Sequence, residues 1–165
     1  MKPFSDIIIF VDCEFSSLNP YIGEILSIGL VKPSGEELYL ELEYDGEYSS
    51  WPKEHIVPTL NGPKVSRSEA QVLIKNFIGD NKPYMISYIN SYDVIYFYKL
   101  FRESGQPCYW VPIDFASILF AAGRNPESLL ELADELNIDR RGYIEHNALD
   151  DARLLRAVYM KYYLI

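Results

Sequence analysis

The feature that most constrains the fold is an apolar run near the start of the chain that ends in acidic residues. Residues 7–15 read IIIFVDCEF, and a short unbroken apolar run of this kind is typical of a strand buried on both faces. We predict a strand over residues 6–13. Because alternate residues of a strand share a face, the side chains of Asp12 and Glu14 should point the same way at its carboxyl end.

Two carboxylates on one face of a core strand require a positive partner. Burying like charges side by side costs free energy unless a cation lies between them, and a divalent metal ion is the simplest such cation. Cys13, between the two acids, should face the other way as a small core residue. Cys108 is the only other cysteine and does not stand at metal-ligand spacing, so neither a disulfide framework nor a structural zinc site is expected.

The rest of the chain alternates predicted strands and helices without an internal repeat. Ser66 and Glu69 form a capping-box pattern that predicts the start of a helix. Residues 45–65 predict an irregular connection with a short helix near 53–60. Further strands are predicted over residues 24–32, 36–44, 83–88 and 109–113, and further helices over 91–104, 115–122, 127–136 and 147–163. This order predicts an α/β fold with a mixed sheet flanked by helices, in one domain spanning residues 1–165.

Three further candidates stand out by position. Asp93 starts the helix after a predicted strand, where an aspartate is also favoured by the helix dipole alone. In the last helix the 3.6-residue period places Asp151 on the apolar face and Asp150 on the polar face beside Arg153. A buried Asp151 therefore needs a partner, which could be a metal ion or a buried arginine. His146 lies just before this helix and, taken alone, is most simply a loop residue.

The combination of these residues resembles the DEDDh family of 3′–5′ exonucleases, and the resemblance covers nearly the whole chain. The matching pattern is D-x-E on the first strand, an aspartate at a strand-to-helix junction, and H-x-x-x-x-D entering the last helix. The resemblance implies a ribonuclease H-like fold and a general base, His146. It implies four metal-ligating and catalytic carboxylates, which are Asp12, Glu14, Asp93 and Asp151.

Details of the pattern refine the resemblance. A sister group has tyrosine one position after the histidine, and this chain has Asn147 there, which indicates the histidine type. Cys13 stands where many members have threonine, and Ile89 where many have asparagine, so the resemblance says less about substrate positioning than about metal binding. The D-x-E-F start and the short length look closest to a small bacterial and phage branch thought to act on RNA. Some of its members are dimeric, which makes a homodimer one expected assembly.

The family chemistry is phosphodiester hydrolysis assisted by two divalent ions about 3.5–4 Å apart. Carboxylate ligands suit Mg²⁺ or Mn²⁺, and a histidine, which ionises near neutral pH, can accept a proton from the attacking water. The expected substrate is the 3′ end of single-stranded nucleic acid, with RNA favoured by the resemblance alone. Phe15 is a candidate for contact with the terminal base, although core packing explains it equally well.

Composition limits the partners. The formal net charge of −9 argues against coating long nucleic acid and favours short strands or ends, and part of that charge would belong to the metal ligands. The chain has no signal-peptide pattern and no stretch of about 20 apolar residues, so we expect a cytoplasmic protein without membrane contact.

Two alternatives remain open: a DNA-directed exonuclease of the proofreading or repair type, and a catalytically silent ribonuclease H-like binding module. No residue pattern in the sequence indicates a contact to the sugar 2′-hydroxyl, which would distinguish RNA from DNA. The DNA-directed alternative therefore stays open. The silent module would be expected to have lost a ligand or the histidine.

Overall fold

The computed structural model describes residues 3–164 and contains a six-stranded mixed sheet with helices on both faces. The strands are β1 (Ile8–Phe15), β2 (Ile25–Val31), β3 (Glu37–Leu42), β4 (Lys64–Val65), β5 (Tyr84–Ser87) and β6 (Ile113–Asp114). The helices are α1 (Ser50–His55), α2 (Arg67–Ile78), α3 (Ser91–Leu100), α4 (Phe115–Ala121), α5 (Leu129–Glu135) and α6 (Ala148–Leu164). A 3-10 turn spans Val57–Thr59. The predicted α/β architecture is therefore observed.

The strand order is β4-β3-β2-β1-β5-β6, which places β1 inside the sheet. It pairs antiparallel with β2 on one side and parallel with β5 on the other. A strand that has neighbours on both sides and helices above and below must be apolar on both faces. This position explains the unbroken apolar run with which β1 begins.

The prediction for β1 was two residues too early at both ends. The strand continues through the acids to Phe15 because pairing with β2 continues, with Asp12 opposite Gly29 and Glu14 opposite Ser27. The register shifts between Glu14 and Phe15, and such irregularities redirect the side chains that follow them. The carboxylates therefore stand on regular strand backbone immediately before the irregularity.

The two faces of the sheet carry separate apolar cores. Cys13 belongs to the core formed with α2 and α3, whereas Phe10 belongs to the core formed with α4, α5 and α6. Since alternate residues share a face, Asp12 and Glu14 lie on the side of Phe10. The first acidic pair therefore points toward α6, and Cys13 faces away from it, as predicted.

Helix α6 approaches the sheet closely at a glycine of β2. A Cβ atom on Gly29 would lie 2.2 Å from the carbonyl oxygen of Ala148 and 2.6 Å from the Cα atom of Leu149, distances that real side chains do not adopt. The helix begins there because the side chain of Asn147 accepts hydrogen bonds from the N–H groups of Leu149 and Asp150, both at 3.2 Å. Gly29 thus allows the first turn of α6 to lie beside Asp12.

Short elements account for most differences from the sequence prediction. Helix α1 lies at residues 50–55 rather than near 53–60, because Pro58 opens the separate 3-10 turn. Strand β6 holds two residues where 109–113 was predicted, and β4 was not predicted at all. Helix α3 ends at Leu100 rather than 104.

The better-patterned elements agree with the prediction. Ser66 accepts a hydrogen bond from the N–H of Glu69 at 3.2 Å, which is one half of the predicted capping box and starts α2 at the next residue. Within residues 3–164, no helix combines the length and apolarity that a membrane crossing requires.

Candidate metal-dependent hydrolytic site

Three of the predicted acids meet at the carboxyl end of β1. Asp12, Glu14 and Asp151 each contribute an oxygen atom, and these oxygens all lie within 4.8 Å of one another. Strand alternation places the first two on one face, and the close approach of α6 at Gly29 brings Asp151 to them. Residues separated by almost the whole chain thus form one carboxylate cluster.

Asp93 reaches the same place from the other side of the sheet. Parallel pairing between β1 and β5 ends at Phe10, and farther along β1 the Oδ1 atom of Asp93 accepts a hydrogen bond from the N–H of Cys13 at 3.0 Å. The residue stands in the first turn of α3 and is buried. Its carboxylate therefore takes the place of a strand partner and lines the same cleft as the other acids.

The acids of this cluster resist ionisation in the protein alone. Burial, followed by the charges of Asp151 and Asp93, raises the pKa of Glu14 to about 8. Burial is also the main cause that raises the pKa of Asp93 to about 7, although the Cys13 N–H opposes it. For Asp12, burial and the neighbouring carboxylates raise the pKa well above its ordinary value.

Asp151 is affected in the same direction but less strongly. Burial raises its pKa to about 6, opposed chiefly by a hydrogen bond from Tyr143. Among the ion pairs of residues 3–164, none includes a member of the cluster. Within the described part of the chain, the four acids therefore have no arginine or lysine partner.

This donor set fits a hard divalent cation. Three carboxylate groups converge and a fourth lies beside them, and oxygen donors are the ligands that Mg²⁺ and Mn²⁺ prefer. A cation would offset the burial cost and the repulsion that together raise these pKa values. The alternative considered for Asp151, a buried arginine partner, is not observed among the described residues.

Asp150 and Asp151 are separated as the helix period predicts. Asp150 lies on the outer side of α6, where its Oδ1 atom is 2.7 Å from Arg153 Nη1 and its Oδ2 atom accepts the N–H of Ile144 at 3.1 Å. Asp151 points into the acidic cluster. Adjacent residues of one helix thus have different partners, a cation of the protein for one and acids for the other.

His146 lines the cleft that contains the carboxylates. Its backbone has a φ of +62°, a left-handed conformation that is uncommon for a residue with a side chain. The imidazole meets the indole of Trp51 almost at a right angle, with 4.9 Å between ring centroids and 88° between planes. The structure thus places the predicted histidine in the same cleft as all four acids.

Sequence reasoning missed Tyr143. Its hydroxyl donates a hydrogen bond to Oδ1 of Asp151, and burial together with that carboxylate raises the tyrosine pKa. The side chain therefore remains a donor near neutral pH and orients Asp151. Arg140 and Arg141, in the same loop, pair with Asp134 and Asp139.

The cleft is about 350 Å³ in volume and combines acids with aromatic side chains. Phe15 lines it and also stacks on Tyr96, with 4.4 Å between centroids and 23° between planes. The packing role is therefore observed, and contact with a terminal base stays a prediction. Tyr92 and Ile89 are exposed residues of the same lining. No periodic pattern singled them out, because Ile89 precedes α3 and Tyr92 lies in its first turn, outside its buried face.

Comparison with known proteins gives no match to a protein-family model and no match to a curated protein sequence. Solved structures do match. S. pombe Pop2p, in its Mg²⁺- and Mn²⁺-bound form, superposes with a TM-score of 0.72 at 17% identity, over 93% of this chain and 81% of that chain. E. coli exonuclease I in complex with a dT13 oligonucleotide gives 0.72 at 15% identity, over 94% and 40%.

The nuclease domain of 3′hExo, a DEDDh family member bound to rAMP, also has a TM-score of 0.72. It is 11% identical, and the match covers 99% of this chain and 94% of that domain. Structural matches at identities this low establish the fold alone. The chain has the ribonuclease H-like fold of these exonuclease domains, as the sequence pattern predicted.

Proposed function

We propose that this protein is a DEDDh-type, metal-dependent 3′–5′ exonuclease that degrades single-stranded nucleic acid, with RNA preferred. One observation carries the proposal: Asp12, Glu14 and Asp151 converge in the cleft that Asp93 and His146 also line, and no arginine or lysine of residues 3–164 pairs with these acids. The fold shared with known exonuclease domains supports it.

The four carboxylates would hold two divalent ions, Mg²⁺ or Mn²⁺, in the proposed site. Bound there, such ions supply an activated water and stabilise the charge that develops at phosphorus and on the leaving oxygen. Asp12 and Glu14 are fixed by regular strand backbone, and Asp93 by its bond to the Cys13 N–H. The protein thus holds the ligands in place before a substrate arrives, which favours catalysis by preorganisation.

The other residues of the cleft have distinct proposed roles. His146 accepts the proton of the attacking water as general base. Tyr143 keeps Asp151 oriented through its hydroxyl. Phe15 and Tyr92 present aromatic surface to the base at the strand end.

The preferred substrate is a short RNA strand or RNA 3′ end. The cleft has the volume of a small-molecule site, which suits a strand end better than a long tract, and the net charge of −9 disfavours contact with many phosphates. The preference for RNA derives from the sequence resemblance to the bacterial and phage branch, as does a homodimeric assembly. DNA is the second candidate, since exonuclease I shares the fold and was captured with a DNA oligonucleotide.

The test is a ladder assay on 5′-labelled single-stranded RNA and DNA, with Mn²⁺ or with chelator. We expect stepwise shortening from the 3′ end, dependent on metal and faster on RNA. His146→Ala should lower the rate by about 10²- to 10⁴-fold, whereas Asp150→Asn, the matched neighbour outside the cluster, should stay near wild type. The absence of metal-dependent shortening of either polymer would overturn the proposal, and faster shortening of DNA would select the second candidate.

A further inference from the structure

The imidazole of His146 has one neighbour that the proposed chemistry leaves unused. Trp51 contacts it edge to face, although the two residues are far apart in sequence and belong to different elements. Among the hydrogen bonds and ion pairs described for residues 3–164, none involves the His146 side chain. The backbone of His146 is left-handed. The orientation of its ring is therefore set by packing rather than by one of these hydrogen bonds.

Trp51 is itself held firmly. Its indole stacks on the ring of His55, with 4.8 Å between centroids and 13° between planes. Helix α1, which carries both residues, is fixed by the burial of Pro52 and by Ile56 just after its end. The indole is therefore packed between the imidazole rings of His55 and His146 at the side of the cleft.

Helix α1 is also tied to the strand that carries the acids. The N–H of Ser49 donates to the carbonyl oxygen of Ser16 at 3.0 Å, and its hydroxyl donates to the same oxygen at 3.2 Å. Ser16 follows β1 directly. These hydrogen bonds fix the position of Trp51 relative to Glu14, which lies two residues before Ser16. They do not involve the loop that carries His146.

We infer that Trp51 is a positioning residue for His146. It holds the imidazole facing the carboxylate cluster through an edge-to-face contact, a geometry that aromatic pairs favour. Trp51 is 49% exposed and is absent from the described lining of the cleft, whereas His146 is part of it. The indole therefore acts through the imidazole. This inference rests on the proposed role of His146 as general base.

The kinetic test compares Trp51→Leu with Trp51→Phe, and uses Trp110→Leu as the matched control because Trp110 is an exposed tryptophan outside the cleft. Loss of the contact should lower kcat by about 2- to 10-fold, the equivalent of one edge-to-face aromatic contact. We expect KM to change little and Trp51→Phe to restore most of kcat. In a His146→Ala background, Trp51→Leu should cause no further loss.

A structural measurement separates this inference from the proposed function. The chain has only two histidines, so nuclear Overhauser contacts between His146 and Trp51 ring protons can be assigned with a His146→Ala spectrum. An inactive wild type would overturn the proposed function. An active wild type without these contacts, or a Trp51→Leu variant that matches Trp110→Leu, would overturn the inference alone. A rise in KM with unchanged kcat would overturn it in favour of direct substrate contact.

Discussion

Two neighbouring groups of acids in this protein balance their charge in opposite ways. The acidic cleft (Asp12, Glu14, Asp93, Asp151) has no arginine or lysine partner among the described residues, and burial raises the pKa of every member. The paired flank (Glu37, Asp134, Asp139, Asp150) combines acids of β3, of α5, of the loop before α6 and of α6 itself. There each acid has an arginine partner, which is Arg140, Arg141 or Arg153.

The difference shows where acidic charge is balanced by basic side chains of the protein and where it is not. On the paired flank, hydrogen bonds from arginine lower the pKa of Glu37 and of Asp139, so charge is balanced within the protein. In the acidic cleft no arginine or lysine of residues 3–164 supplies that balance, and the converging oxygens fit a cation. Adjacent residues, Asp150 and Asp151, fall on opposite sides of this boundary.

The largest expected effect separates the two groups directly. Asp12→Asn should lower exonuclease activity by at least about 100-fold, because even residues that only support a metal ligand cost 10- to 100-fold. Asp150→Asn keeps the same change of charge but should stay within a few-fold of wild type. Single-turnover rates with saturating Mn²⁺ measure both. Equal losses of activity in the two variants would contradict the proposed difference between the acidic cleft and the paired flank.

The second effect concerns stability and pH in the presence of chelator. The folded cleft acids bind protons more tightly than they would in the unfolded chain, because their pKa values are raised, to about 8 for Glu14 and about 7 for Asp93. Stability is therefore greatest near the ordinary carboxyl pKa and falls as pH rises toward 8. The flank acids Glu37 and Asp139 have lowered pKa values, so their contribution to stability is constant through this range and is lost only as pH falls below the ordinary carboxyl pKa.

Thermal unfolding from about pH 5 to pH 8 measures this slope. We expect the Tm of the chelator-treated protein to fall across the range, and saturating Mn²⁺ to raise Tm most at the upper end, where the ligands are ionised. Asp12→Asn should flatten the slope. A Tm that rises with pH in chelator would contradict the raised pKa values.

A smaller effect is expected for Tyr143, which supports the cleft from its rim. Tyr143→Phe removes the hydroxyl that donates to Asp151 but keeps the ring, and should weaken Mn²⁺ binding by about 10-fold, the lower end of the range for such partners. Calorimetric titration of Mn²⁺ measures it. Tyr162→Phe, a tyrosine of the second apolar core, provides the matched control. Unchanged affinity in Tyr143→Phe would show that Asp151 needs no orienting donor.

The smallest effect is expected on the paired flank. Arg153→Ala removes contacts to Glu37 and Asp150, but exposed ion pairs contribute only about 0–1 kcal/mol. Urea unfolding should show a loss within that range, with Mn²⁺ affinity unchanged. A loss of several kcal/mol would show that the flank also supports the cleft.

The sequence predicted those parts of the molecule that depend on local periodicity. Strand alternation placed Asp12 and Glu14 on one face, and the helix period separated Asp151 from Asp150; both arrangements are observed. The central strand and the mixed sheet followed from an apolar run and the order of elements. The catalytic roles of these residues remain predictions.

What the sequence could not supply depends on contacts between distant segments. The bond from the Cys13 N–H to Asp93 joins residues 80 positions apart, and the contact of Trp51 with His146 joins a short helix to a loop. Two-residue strands such as β4 and β6 also have too few residues to show a period. Only the assembled fold brings these groups together.

The close approach at Gly29 sets the spacing of the proposed cation site. The spacing between β2 and the first turn of α6 is set by a residue that has only a hydrogen atom in place of a side chain. Gly29→Ala would force the helix outward and carry Asp151 away from Asp12, leaving every ligand chemically intact. The distance between the oxygens of Asp151 and Asp12 in the proposed metal site is therefore set by the spacing between the two layers, at a residue that contributes no ligand atom.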